Sequence, residues 1–248
     1  MKPRIAIPVP HSDAEYAHRA LPQYQQAVEQ AGGEPVVIQL GLPNAEIARL
    51  ATQCDAVLLP GSRADIDPQK YGAAVRHPKT SASDEPRDNA DELLLQDAYN
   101  LHKPILGICY GLQALNVWRT GSLVQHIESK VNHEAGRAVE KAHSLSVDPL
   151  SRLAQIVKHD WSPDKPELQP GETLQGWVNS SHHQSAERIG DGLRAVAWSP
   201  EDHVVEAIEG TTPDHFVLGV QWHPERTTEN DAASRAIFHA FVEAAGRK

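Results

Sequence analysis

Of the two cysteines in the 248-residue chain, Cys109 stands where a thiol could act as a nucleophile. It lies in Gly107-Ile108-Cys109-Tyr110-Gly111, a G-x-C-x-G run between a stretch that reads as a buried strand and one that reads as a helix. Small flanking residues let the chain turn sharply and leave the side chain exposed at the strand's carboxyl end. The N-terminus of the following helix favours a thiolate and offers N–H groups to an oxyanion. Such a thiol needs a base, and Gly219-Val220-Gln221-Trp222-His223-Pro224-Glu225 supplies one at the end of an apolar run. His223 and Glu225 are two residues apart, so in an extended segment both can lie on one side, where the carboxylate can fix the imidazole tautomer. Cys109, His223 and Glu225 therefore outline a Cys-His-Glu triad. Without the cysteine, the His-Pro segment would read as a surface turn. Cys54, beside Asp55 and Ala56, reads as structural, and the two cysteines have neither the C-x-x-C spacing of a zinc or redox site nor the number for a disulfide framework.

Short aliphatic runs alternate with helical stretches through the first half, the pattern of βαβ units around a parallel sheet. Residues 4–9, 35–38, 56–59 and 104–108 read as strands. Helices are expected over 15–31, ended by Gly32-Gly33, over 44–52 with Asn44 as N-cap behind Pro43, over 88–101, and over 112–118 directly after the cysteine. Residues 60–87, rich in Pro, Gly, Ser, Asp and Lys without periodicity, form a loop long enough to suggest a lid. In the second half, 143–147, 173–178, 193–198, 204–208 and 216–221 read as strands that add antiparallel members to the sheet. Residues 160–171 read as a surface loop and 232–245 as a closing amphipathic helix. Trp118, Trp161, Trp177, Trp198 and Trp222 show no helical stripe and read as core or pocket walls. With no repeat and no dividing linker, the chain reads as one domain over 1–248.

Composition narrows the partners. The sequence has 23 Lys plus Arg against 33 Asp plus Glu, a net charge of −10, which repels nucleic-acid phosphates and anionic lipid. No apolar run reaches the roughly 20 residues of a membrane helix, and the first residues lack a signal peptide's apolar stretch, so the expected location is cytoplasmic. The 14 histidines make metal chemistry worth checking. His182 and His183 are adjacent and point apart in extended chain, and no H-E-x-x-H occurs, so neither a metal nor a cofactor is expected.

The segment Pro104 to Gln113, together with Gln221-Trp222-His223-Pro224-Glu225, resembles the class I glutamine amidotransferase family, with its G-x-C-x-G-x-Q nucleophile motif and its H-P-E. The chain is more closely similar to the γ-glutamyl-γ-aminobutyrate hydrolase branch, a peptidase C26-like group. That likeness runs through Leu59-Pro60-Gly61, Asp65-Ile66-Asp67-Pro68, Tyr71-Gly72, Pro86-Arg87-Asp88, Gln113-Ala114-Leu115-Asn116-Val117 and Val178-Asn179-Ser180-Ser181-His182-His183-Gln184. The resemblance implies an α/β fold with a doubly wound, mostly parallel, flavodoxin-like sheet carrying antiparallel additions. It also implies hydrolysis of a γ-glutamyl amide through a γ-glutamyl thioester.

On that resemblance the backbone N–H groups of Ser62 and Tyr110 are the oxyanion-hole candidates. Arg87 is placed to bind a glutamyl carboxylate bidentately. Gly61, Gln113, Asn179, Ser180 and His183 complete the expected substrate contacts. The chain departs from the branch at Tyr110, where Arg is usual, which predicts weaker recognition of an acidic leaving group and a gain for that substrate on Tyr110→Arg. The expected partner is a small γ-glutamyl substrate, with a homodimer left open. Two rival readings are a glutaminase subunit supplying ammonia to a partner synthase and a non-catalytic protein that binds a γ-glutamyl ligand.

Overall fold

Runs of four or five residues dominated by Ile, Leu, Val and Ala are too short for helices and apolar on both faces, as strands covered by helices on both sides must be. In the computed structural model, which describes residues 1–162 and 172–247, they form the parallel half of a sheet. The strands are β1 (Arg4–Pro8), β2 (Glu34–Ile38), β3 (Ala56–Leu59), β4 (Ile105–Ile108), β5 (Leu123–Val124), β6 (His143–Val147), β7 (Leu174–Val178), β8 (Ser185–Ala186), β9 (Leu193–Trp198), β10 (Val205–Gly210) and β11 (Val217–Val220). The helices are α1 (Ala14–Gln30), α2 (Asn44–Thr52), α3 (Glu85–Asn100), α4 (Tyr110–Trp118), α5 (Arg152–Trp161) and α6 (Ala232–Gly246). The main sheet runs in the order β2-β1-β3-β4-β11-β10-β9-β6-β7. Its first five strands pair parallel, and from β10 onward every pairing is antiparallel. One core holds α1, α5 and α6 against one face, and a second holds α2, α3 and α4 against the other, so the sheet is doubly wound. Among the described residues no helix is long and apolar enough to cross a membrane.

The deviations from the sequence reading have local causes. Helix α2 is capped by Pro43, not Asn44, whose side chain instead accepts from the Asn89 amide at 2.9 Å. Helix α3 starts at Glu85, earlier than expected, because Pro86 suits the first turn. Helix α5 was hidden by its polar surface. It buries only Leu153, Ala154 and Val157, and Ser151 caps it by accepting from the Ala154 N–H at 2.9 Å. Asp160 and Trp161 therefore end a helix, and the rest of the expected 160–171 loop falls largely outside the described residues. Of the two roles open to it, Trp177 takes the pocket wall and not the core: it is 58% exposed on β7, where residues alternate between faces, and lines a pocket with Trp161 and Trp222.

The segment expected to act as a lid is tied down along its length. The Asp65 carboxylate accepts from the Ser81 N–H at 2.6 Å, the His77 N–H donates to Gln125 at 2.7 Å, and Lys70 pairs with Asp88 and Glu92 on α3 at 3.1 and 2.7 Å. A short turn at Pro68–Tyr71, capped by Asp67 and closed by Gly72 at φ 72°, sits between these ties. A freely swinging lid would lack them.

Candidate active site

Strand β4 lies between β3 and β11, so the carboxyl ends of three parallel strands deliver Pro60-Gly61, Cys109 and Gln221-Trp222-His223 to one place. Cys109 takes φ 52° and ψ −106°, a strained conformation for a residue with a Cβ, and helix α4 begins at the next residue. The turn is locked by the Cys109 N–H, which donates to the Val220 carbonyl at 2.8 Å. Its flanking glycines are required by space. A Cβ on Gly107 would stand 2.7 Å from the Gly111 carbonyl oxygen, and one on Gly111 would stand 2.1 Å from the Leu59 carbonyl oxygen.

A Cβ on Gly61 would meet the His223 ring at 2.8 Å and the Cys109 Cβ at 3.5 Å, so thiol and imidazole border the same small space. His223 Nδ1 lies 2.8 Å from Glu225 Oε1. Asn179 clamps the histidine backbone: its amide accepts from the His223 N–H and donates to the His223 carbonyl, both at 2.9 Å. Burial lowers the pKa of His223 despite the opposing pull of Glu225. The charges of His223 and Arg226 hold the Glu225 carboxyl below its ordinary value against its own burial. Burial also pushes the Cys109 thiol up to about 12, although the Arg226 guanidinium favours the thiolate. The site thus rests with a neutral thiol beside a neutral imidazole, itself backed by a carboxylate. That series can pass a proton from sulphur to nitrogen as sulphur attacks a carbonyl.

Residues 8–225 match the model of the peptidase C26 family. The chain belongs to that family. The C26 chain is 32% identical over 226 residues to Protein NtpR of Enterococcus hirae, a match covering 89% of this chain and 87% of the relative. It is 30% identical over 233 residues to the gamma-glutamyl-gamma-aminobutyrate hydrolase PuuD of Escherichia coli strain K12, covering 90% of this chain and 84% of the relative. Its fold is similar to the Trypanosoma brucei CTPS glutaminase domain with bound acivicin, with TM-score 0.60, 16% identity, and coverage of 99% of this chain and 94% of that one.

Several residues expected to touch substrate instead build the C26 scaffold. Arg87 is the main correction. Its guanidinium is fully buried and donates to Asp91 at 2.7 Å, the Pro10 carbonyl at 2.7 Å and the Pro60 carbonyl at 2.6 Å, so no carboxylate from solvent can reach it. It holds the start of the Gly61 turn. Tyr110 is corrected in the same way: its side chain is buried, its hydroxyl bonds to Asp88 and its ring lies under Arg87, so its polar atom is already committed to protein. The argument for a gain on Tyr110→Arg therefore falls. Gln113 donates to the Gln184 carbonyl and Gln221 side chain at 3.2 and 3.3 Å, Asn179 positions His223, and Ser180 donates to the His133 carbonyl at 2.8 Å. All three are buried among protein groups.

Other candidates stay at the site. The Gly61 N–H donates to the Tyr24 hydroxyl at 3.0 Å, whereas the Ser62 N–H meets no acceptor among the described residues. The Tyr110 N–H faces the Cys109 sulphur. His183 is half-buried and pairs with Asp65 at 3.1 Å. As the spacing argument requires, it points away from His182, which faces Glu206. Sequence reasoning passed over Tyr24, which nothing in α1 marks, and Arg226, which directly follows the His-Pro-Glu run and could have been found there. It also found no metal-ligand spacing, yet the fold gathers His133, His143, His182 and Glu206 from four separate segments.

Arg87→Met should destabilise the protein by about 3–5 kcal/mol, because it leaves Asp91 buried without its partner. Denaturant titration should show the loss while the KM of the folded enzyme stays near the parent value. Unchanged stability with a raised KM would restore the substrate-binding role.

Proposed function

We propose that this C26 protein is a cysteine-dependent hydrolase of γ-glutamyl amides. The observation that carries the reading is the strained Cys109 turn set against the buried His223–Glu225 pair. The activity for which the PuuD relative is named supports the acyl group. As the Cys109 sulphur attacks the γ-carbonyl carbon, His223 takes the thiol proton and Glu225 stabilises the imidazolium. The carbonyl oxygen gains charge, and the Ser62 and Tyr110 N–H groups donate to it. The C–N bond then breaks, His223 returns the proton to the departing amine, and the glutamyl group remains as a thioester on Cys109. Water, losing a proton to His223, attacks the thioester carbonyl. Free glutamate leaves and the thiol is restored.

A hydrolase of larger amides differs from an ammonia-supplying subunit in its preference for the leaving group. The expected kcat/KM for γ-glutamyl-γ-aminobutyrate exceeds that for glutamine by about tenfold or more, which corresponds to roughly 1.4 kcal/mol in the transition state. Paired assays of glutamate release from both substrates measure it. A clear preference for glutamine favours the glutaminase reading, and no turnover with any γ-glutamyl amide favours the binding protein.

A further inference from the structure

Behind the catalytic elements, three histidines surround one carboxylate in a way that neutral side chains do not explain. Glu206 on β10 is fully buried, and its Oε1 lies 3.3 Å from His133 Nδ1, 3.5 Å from His143 Nε2 and 3.4 Å from His182 Nε2. Each ring places its other nitrogen against an acceptor. His143 Nδ1 faces the Ser144 carbonyl at 3.1 Å, His182 Nδ1 faces the Gln184 carbonyl at 2.9 Å, and His133 Nε2 faces the Asp202 carboxylate at 2.9 Å. Carbonyls carry no proton, so those nitrogens hold the N–H and the inward nitrogens of the neutral rings are bare lone pairs. The inward nitrogens and both Glu206 oxygens have no hydrogen-bond partner, and all are buried. Three lone pairs and an anion facing one another repel unless a cation sits among them, either a proton on His133, which lies between Glu206 and Asp202, or a metal ion that engages all three rings at once. Among the described residues no Lys or Arg pairs with Glu206.

We infer that His133, His143, His182 and Glu206 bind a divalent transition-metal ion, with zinc the best fit. The four donor atoms lie within 4.8 Å of one another. Zinc bonded to nitrogen and oxygen at about 2.0–2.1 Å in a tetrahedron has ligand-to-ligand edges of roughly 3.3–3.4 Å, close to the three nitrogen-to-oxygen distances here. Pairs wider than that edge close inward on loading. Three imidazoles and a carboxylate, with no thiolate, suit zinc over calcium or magnesium. The outer hydrogen bonds from each ring to a carbonyl or carboxylate are those that orient metal-binding histidines and raise their basicity. Four protein ligands in a buried setting leave no open position, so the ion braces structure and carries no chemistry. It joins β10 and β6 to the turn after β7. His182 lies three residues beyond Asn179, which clamps His223, and the Glu206 carbonyl accepts from the Gln221 N–H at 2.8 Å. The inference is independent of the hydrolase reading.

The test uses the full chain without a polyhistidine tag. Metal analysis after dialysis against zinc should give about one ion per chain. X-ray absorption at the zinc edge should show only nitrogen and oxygen neighbours with imidazole scattering. Zinc should also raise the melting temperature of the metal-free chain. His143→Gln and Glu206→Gln should each weaken zinc binding by at least about 10²-fold, the scale at which even outer-shell changes act. No stoichiometric uptake of zinc, cobalt or iron by the folded chain overturns the inference. So does sulphur in the first shell, which would place the ion on Cys109, or unchanged affinity in both variants. If a variant fails to fold, the absorption spectrum of the parent decides alone.

Discussion

Cys109→Ser should fold like the parent and lose at least about 10³-fold in kcat, the scale seen when a triad nucleophile is removed. The fold should hold because serine is no larger than cysteine and adopts the same strained backbone as readily. The turn is secured by glycines and by the Cys109 N–H, which the change does not touch. The loss follows from the base. Burial keeps His223 a weak proton acceptor, strong enough for a thiol in the act of attack and far too weak for a hydroxyl whose oxygen is the poorer nucleophile. Steady-state assays on a γ-glutamyl amide, with a thermal melt as control, measure both halves. In parallel, a γ-glutamyl diazoketone should add its mass to the parent and not to the variant. Turnover within tenfold of the parent would remove Cys109 from the mechanism.

What the sequence made legible depended on whether a residue's partners were near it in the chain. The parallel strands were readable because four or five consecutive aliphatic residues have few alternatives, and β3, β6 and β9 have the limits their patterning suggests. The glycine-flanked cysteine was readable because the steric need is local: Gly107 and Gly111 face backbone at distances no side chain tolerates. Arg87 and Tyr110 were misjudged for the opposite reason. Nothing in Pro86-Arg87-Asp88 says that the guanidinium will find the Pro10 and Pro60 carbonyls, which lie far off in sequence, or that Asp88 will take the tyrosine hydroxyl. A charged residue after a long polar loop looks solvated until the fold buries it. The histidine cluster was invisible on the same ground, since its four members come from four segments with no ligand-type spacing between any two. Asn179, expected to contact substrate, instead pairs through its amide with the backbone of His223, a contact that no local pattern in the sequence marks.

His223→Ala should lower kcat/KM by about 10²- to 10⁴-fold, the range of a lost general base, and Glu225→Ala should lower it less. The difference follows from how each group acts. The imidazole moves the proton, whereas the carboxylate orients the ring and stabilises its charge, and the Asn179 clamp on the His223 backbone survives the loss of Glu225. The pH profile separates the roles further. Only the unprotonated imidazole accepts the thiol proton, so activity falls as pH drops through the His223 pKa. Burial lowers that pKa, which moves the acid limb of kcat/KM to the acid side of where an ordinary histidine would put it. Glu225 opposes the shift by favouring the imidazolium, so removing it should carry the limb further toward acid. If Glu225→Ala instead moved the limb toward alkali, or cost more than His223→Ala, the carboxylate would be acting directly on the reacting groups and the assignment of base and orienting group would have to be exchanged.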